Sequence, residues 1–457
     1  MPATSAAQPP FSGDFSALFA ELLDEETCHE IFQTHGPRGG GLPKLSGWQW
    51  LMTKVFHVMA GTGNFADHVK QITDIPISNS ALSQRGSSLG WELVANALRS
   101  ALRPLADPQQ HPDAFHQGMR LVAIDGTRFN LCNTAAMKAR AVKTRCNRGD
   151  GEPAFAHLCS VVLVELGSHQ PLAAAFGWEN QGELTLARQA CVPGTLPPCS
   201  LVLGDRLFGT PALIHELLPE LESTGGGLLF RVKGNLKSRL VEVLADGSRL
   251  VDVEVRHLET RKLIRILRLR EIHAEVRVDD GKDKPLEIRL WTNLFDIATH
   301  PARDLVELYA MRWEHELFYR ELKSHLHGCG NLMEAHTPES AAQEALSLMM
   351  AASLIARQRM AVAASAGVEM RRVSFAKVLD ATVALCRVLE IGRDLLDDRL
   401  RAEWVRRVLE ELTVTALIPK RKPRSCTRGL RQPTRNWRKI KKPTSKPLVK
   451  TITLTNP

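Results

Sequence analysis

No basic segment followed by an apolar run opens this 457-residue chain, so its N-terminus does not read as a secretory leader. Nor is any apolar run long enough for a bilayer. The longest, "ALSLMMAASLIA" at 345–356, is twelve residues and stops at Arg357. The nine cysteines form no C-x-x-C pair and are odd in number, which suits reduced thiols in a cytoplasm better than a disulfide framework. The Gly-rich stretch "GPRGGGLPKL" at 36–45 lacks the G-K-S/T of a phosphate loop and reads as a joint between helices. There is no H-E-x-x-H, and the spacings of His315, His325, His327 and Cys329 define no zinc site.

The most informative absence is of one sign of charge. No acidic residue follows Glu411, whereas thirteen Lys and Arg lie between Lys420 and Lys450. Residues 1–411 then hold 46 bases against 50 acids, so the formal charge of +9 belongs to the tail. Pro, Thr and Trp437 interleaved with those bases favour an arm for nucleic acid over a merely solubilising end. Such an arm binds phosphate in a salt-dependent way and implies no reading of base sequence. A second basic stretch, "KARAVKTRCNR" at 138–148, reads as a loop, either solvated or approaching the same polyanion.

What is present divides the chain, whose length allows two to four domains. Residues 13–104 read as helices, with a Ser/Asn start signal at Ser78–Ser80 ahead of one amphipathic helix carrying Arg85. From about 119 the pattern turns to strands: "MRLVAID" (119–125), "AHLCSVVLVEL" (156–166) and "PLAAAFGW" (171–178). The helical "GELTLARQA" follows, then the strand "SLVLGD" (200–205), a helix from about Thr210 to Glu222, and the strand "GLLFRVKG" (227–234). That order predicts an α/β sheet with antiparallel and parallel parts. Residues 236–294 alternate as strands and look like a β insertion, and helices resume near 301 and run to about 411.

Two of the strands finish on an acid: Asp125 before Gly126, and Asp205 before Arg206. Either alone is an ordinary turn former or helix cap. Together with an acid on a helix packed against the sheet, they would repel unless a cation sat between them, and hard oxygen ligands suit Mg²⁺ or Mn²⁺. The third acid is found in "YAMRWEHELFYRELK" (309–323), read as a single helix. At about 100° per residue, Tyr309, Arg312, Glu316 and Lys323 fall within a ~60° stripe, while Met311, Phe318, Leu322 and Leu326 form a packing face. An i, i+4 ion pair explains Arg312 and Glu316 but leaves Tyr309 and Lys323 unexplained. A metal-binding carboxylate flanked by phosphate-binding groups explains all four.

The spacing Tyr309, Arg312, Glu316, Lys323 resembles the Y-(2)-R-(3)-E-(6)-K signature of DDE transposases of the insertion sequence four class. The likeness extends through "DGT" (125–127), "GDRLF" (204–208), "RVKGN" (231–235), "TNL" (292–294) and "RWEHELFYRELK" (312–323), and covers roughly 40–435. It implies a ribonuclease H-like mixed-sheet catalytic core at 116–235 and 300–360, interrupted by a β insertion at 236–299. A helical DNA-binding region at 1–115, a helical region at 361–412 and a flexible basic tail at 413–457 flank it. Asp125, Asp205 and Glu316 are implied as catalytic ligands of two Mg²⁺ or Mn²⁺ ions, with Tyr309, Arg312 and Lys323 holding DNA. Trp291 is the candidate for stacking on a flipped base, against the plainer reading of a buried strand tryptophan. Activity, partners and place follow from the same resemblance: cut-and-paste transposition, inverted-repeat ends and target DNA, a homodimeric complex, and the bacterial cytoplasm. Two alternatives stand beside it, a nuclease of the same fold without strand transfer and an inactive DNA-binding relative.

Overall fold

A computed structural model describes residues 11–36, 44–140, 155–178, 181–278, 286–326, 333–419 and 450–454. The Gly-rich joint beyond residue 36, the basic stretch beyond residue 140, His327 and Cys329, and the basic tail at 420–449 lie outside the described residues. The chain forms two compact units, Met1–Pro197 with Trp313–Ile418, and Pro198–Arg312 with Pro419–Pro457.

The first unit begins with helices α1 (Phe15–Leu22), α2 (Glu25–His35), α3 (Gly47–Ala60), α4 (Phe65–Thr73), α5 (Asn79–Leu89) and α6 (Trp91–Ala101). Short polar side chains start most of them: Asp14, Asp24, Ser46, Asn64 and Ser78 each accept a backbone N–H of the first turn. The single helix expected after Ser78 is in fact two. Gly90 breaks it at φ 67°, in the left-handed half of conformational space where a side chain is strained.

Strands β1 (Phe115–His116), β2 (Met119–Asn130), β3 (His157–Glu165) and β4 (Gln170–Trp178) then form an antiparallel sheet, with the helices α7 (Ala135–Arg140) and α8 (Glu183–Ala190) between and after them. Nearly all of β3 is buried, which is why its alternation is replaced by a continuous apolar run.

The second unit has β5 (Ser200–Gly204), α9 (Pro211–Ser223) and β6 (Gly227–Arg231), with β5 and β6 parallel. Three antiparallel strands, a helix, then two parallel strands joined by a helix is the ribonuclease H-like order, set in a mixed α/β chain. The insertion supplies β7 (Arg239–Val243), β8 (Arg249–Arg256), β9 (Leu263–Val278) and β10 (Leu286–Thr292). It prolongs this sheet, because β10 lies antiparallel on β6 with Trp291 opposite Phe230. Helix α10 (Ala302–Tyr309) closes the unit.

Back in the first unit come α11 (Trp313–Glu321), α12 (Pro338–Ala366), α13 (Phe375–Ile391) and α14 (Asp398–Thr415). Helix α12 contains the twelve-residue apolar run and is buried at 22 of its 29 positions, with α3, α6, α13, α14 and β4 around it. A helix apolar on all sides belongs in a core of this kind. Among the described residues no helix is long and apolar enough to cross a membrane.

The tail, expected to be flexible throughout, contributes β11 (Lys450–Leu454) to the second unit. The reason is geometric: β9 outruns β8, which pairs with it only as far as Glu271, and β11 takes the ladder from Ala274 to Val278.

The insertion is tied by one buried cation. Arg270 is 0% exposed; it donates to Ser248 Oγ at 2.8 Å and to the carbonyls of Leu294 at 2.9 Å and His300 at 2.7 Å, and it pairs with Asp246. Replacing Arg270 by Ala takes the cation from Asp246 and a donor from two carbonyls, so urea unfolding followed by fluorescence is expected to lose about 3–5 kcal/mol. A loss below about 1 kcal/mol, the range of exposed pairs, would contradict the assignment.

Candidate active site

In the first unit the candidate site is built where α11 crosses β2. Asp125 does not end its strand as expected. β2 runs on to Asn130, with Asp125 opposite Val162 and Gly126 opposite Val161. Gly126 looks like a strand terminator but serves close approach. A Cβ there would lie 2.8 Å from both Cδ and Oε2 of Glu183, the first residue of α8. Asp125 Oδ1 accepts the Gly126 N–H at 2.8 Å, and its backbone carbonyl accepts the Tyr319 hydroxyl at 2.7 Å.

The stretch 309–323 is not one helix. α10 ends at Tyr309, a 3₁₀ turn spans Ala310–Arg312, α11 spans Trp313–Glu321, and a π turn spans Leu322–Leu326. Counting 100° per residue across three changes of pitch does not hold, so the four-residue stripe is not a feature of a regular helix. Phe318, Leu322 and Leu326 are buried as expected, whereas Met311 is only half-buried. His315 is wholly buried on α11 and donates from Nε2 to the Val162 carbonyl at 3.0 Å, so its ring serves packing. His325 is exposed.

Glu316 is exposed on α11 and lines a hollow of about 390 Å³ with Gly126, Thr127, Tyr319, Arg320, Lys323 and Ser324. Burial pushes the Tyr319 phenol well above its ordinary value, and the negative charges of Asp125, Glu183 and Glu316 push it further. Three carboxylates therefore bear on one phenol, and Asp125 and Glu316, chosen from separate motifs, are two of them. Burial lowers the Lys323 ammonium pKa while Glu316 works against that shift. Its Nζ lies 5.8 Å over the Phe129 ring.

The second unit carries Asp205, Tyr309, Arg312 and Trp291. Asp205 follows β5 directly and accepts the Leu207 N–H on Oδ1 at 2.7 Å, the turn-forming role of an Asp at a strand end. Tyr309 is buried and donates its hydroxyl to the Gly204 carbonyl at 3.3 Å. Burial brings its phenol up to about 12, Arg312 and Arg231 pull it down, and Asp205 adds to the rise. Arg231 ends β6; burial lowers its pKa, and Tyr309, Arg206, Arg312 and Asp205 also act on it. Arg231 and Arg206 had not been singled out, although both stand in the motifs "RVKGN" and "GDRLF". Tyr319 stands in "RWEHELFYRELK" in the same way, whereas Glu183 carried no comparable signal, because what makes it notable is contact with Gly126.

Trp291 does not offer a face to a base. It is 0% exposed on β10, donates Nε1–H to Glu271 at 2.7 Å, and has the Arg289 guanidinium 5.4 Å over its ring. Its neighbours in the sheet cover it, which corrects the stacking expectation in favour of the buried strand tryptophan.

Among the described residues no group of three or more His, Cys, Asp or Glu is arranged to hold a metal ion. The donors taken singly are of the type a hard divalent ion prefers. Asp125 and Glu316 offer carboxylate oxygens in the first unit and Asp205 offers one in the second, the hard ligands that Mg²⁺ and Mn²⁺ prefer.

Comparison with known proteins agrees with the motifs. Residues 116–354, more than half of the chain, match the family described as the transposase DDE domain, and the chain belongs to that family. The chain is similar to the transposase InsG for insertion sequence element IS4 of Escherichia coli (strain K12), 25% identical over 288 residues. That match takes in 63% of this chain and 62% of the relative's length. A looser likeness, TM-score 0.45 at 10% identity, joins 92% of this chain to 88% of the piggyBac transposase in a synaptic complex with hairpin DNA.

The Trp291 contact generates a prediction. Burial pushes the Glu271 carboxyl up, but hydrogen bonds from His273 and Trp291 and the charge of Arg289 outweigh it and bring it to about 2. A depressed carboxylate stabilises the fold above its unfolded pKa and loses that contribution as pH falls through the folded value. The melting of the second unit should therefore hold above about pH 4.5 and decline toward pH 2. Trp291→Phe should cost about 1.5–3 kcal/mol, the worth of a hydrogen bond to a charged group, and move the acid transition upward. It should leave DNA-end affinity unchanged in a gel-shift titration; a tenfold loss of affinity would restore a stacking role.

Proposed function

We propose that this chain is the transposase of an insertion sequence: it binds the inverted-repeat DNA ends of its element, cuts them, and joins the freed 3′ ends to target DNA. The observation that carries the reading is the hollow that Glu316 and Tyr319 share with Arg320 and Lys323, the Tyr319 hydroxyl bonded to the Asp125 carbonyl, in a chain of the DDE family. Asp125, Asp205 and Glu316 are the proposed ligands of two Mg²⁺ or Mn²⁺ ions. Bound there, the ions would supply an activated water for in-line attack and charge for the departing 3′ oxygen.

The protein's own groups have the complementary tasks. Lys323 and Arg320 stand at the hollow as partners for phosphate oxygens, and Arg312, with Arg231 and Arg206 near Asp205, does the same in the second unit. Tyr309 and Tyr319 are the only tyrosines of the chain. Their hydroxyls are committed to the backbone carbonyls next to or at the proposed ligands, Gly204 and Asp125. We assign them to holding those carboxylate-bearing backbones, with Tyr309 reaching DNA only through Arg312. The thirteen bases of the tail suit non-specific phosphate binding, and a homodimer would bring two ends together.

Purified protein with synthetic ends built from the inverted repeats flanking its gene tests the reading. Wild type is expected to cut those ends in Mg²⁺ or Mn²⁺ and to give donor–target joined product. Glu316→Gln, Asp125→Asn and Asp205→Asn should each lower cleavage by about 10³-fold or more while end binding stays within a few-fold. Cut ends without joined product would assign a nuclease, and binding without cutting in either metal an inactive relative.

A further inference from the structure

Helix α11 carries Glu316 but is only nine residues long and is bounded by a 3₁₀ turn and a π turn. A segment of that length is not stable by itself, so what fixes it decides where Glu316 stands. One residue holds both of its ends. His169 lies in the turn between β3 and β4, is 4% exposed, and has φ 55°, a strained value for a residue with a side chain. Its Nδ1 is 2.8 Å from Glu321 Oε2 and its Nε2 is 2.9 Å from Glu314 Oε2. Seven residues separate these glutamates, two turns on one face, and Glu316 falls between them. Both ring nitrogens face carboxylate oxygens, and donating to both takes the imidazolium form.

We infer that His169 is a positioning residue for Glu316: a buried cation clamping the first and last turns of α11, so that Glu316 stands over β2. The inference rests on the reading of Glu316 as a metal ligand. The surrounding charges make the clamp a closed network. From α12, Arg359 Nη1 lies 3.3 Å from Glu321 Oε2 and its Nη2 donates to the Val373 carbonyl at 3.0 Å. Arg371 acts on Glu314 and is itself paired with Glu369 and Asp113. Burial pushes the His169 pKa down, and Glu321 with Glu314 more than reverse it. On the far side of α11, Tyr319 to Asp125 and His315 to Val162 tie the same helix to the sheet. The strained backbone at position 169 is what turns the ring toward the helix, in keeping with strain kept where a side chain must be aimed.

His169→Gln keeps a neutral polar side chain and removes the cation. Single-turnover cleavage of synthetic ends in Mg²⁺ should fall about 100-fold with end affinity within about threefold, the pattern of misplacement. Amides of Trp313–Glu321 should exchange hydrogen at least about tenfold faster than in wild type. Adding Glu314→Gln, which removes one of two carboxylates left facing each other, should restore at least about tenfold of the lost rate. Wild-type cleavage and exchange in His169→Gln would overturn the inference, as would a double variant no better than the single one. If wild type cuts no DNA, the proposed function falls, and the exchange measurement still decides whether the clamp exists. Should His169→Gln not fold, ¹⁵N spectra of histidine-labelled wild type decide: both His169 nitrogens protonated at pH 7.5 supports the clamp, and a neutral ring overturns it.

Discussion

The burial of α12 is the constraint on which the first unit depends. The N-terminal helices, α13, α14 and β4 have α12 as common ground, and its apolar surface has no other place to go. Several of its polar residues bind neighbouring elements. Gln343 donates to the carbonyls of Gly86 and Gly90, where the break between α5 and α6 leaves them open. Ser353 accepts from Gln170, and Arg359 reaches the network around Glu321. Burying these groups without partners would cost several kcal/mol, so the same contacts that satisfy them also set the register of the helices and of β4 on α12.

From that frame the electrostatics of the candidate site follow. In the first unit the negative charges of Asp125, Glu183 and Glu316 all act on the Tyr319 phenol, while Arg320 and Lys323 edge the hollow. In the second unit bases gather around one acid, Arg206, Arg231 and Arg312 with Asp205. Clustered carboxylates call for a cation and clustered guanidiniums for an anion, each within its own unit. The match over residues 116–354 places the chain in the family of the transposase DDE domain.

Much of this was legible from residue patterns because the signals were strong and local. Continuous apolar runs mark β3 and β5, alternation marks the insertion, and Ser78 marks the start of α5 as a cap. The errors have local causes too. Gly126 suggested a strand end, since a glycine after an acid is an ordinary turn signal; only the Glu183 carboxylate above it explains why a strand interior needs glycine there. The Tyr–Arg–Glu–Lys spacing suggested a uniform pitch, and pitch changes at Ala310 and Leu322 carry no composition signature. Trp291 was a stacking candidate by family resemblance alone, beside the plainer reading of a buried strand tryptophan, and it is wholly buried.

The sequence by itself determined which residue types recur at which spacing: the acids after two apolar runs, the Tyr–Arg–Glu–Lys series, the all-round apolar helix and the one-sided charge of the tail. These are properties of neighbours along the chain, and helix and strand periods translate them into faces wherever the pitch stays regular, which it does not across 309–323. Only the tertiary structure decided that His169, more than 140 residues from Glu314 and Glu321, joins them, and that Glu183 covers Gly126. Contacts of that kind depend on how β3, β4, α8 and α11 pack, and burial in a folded core leaves no periodic trace in sequence to announce them.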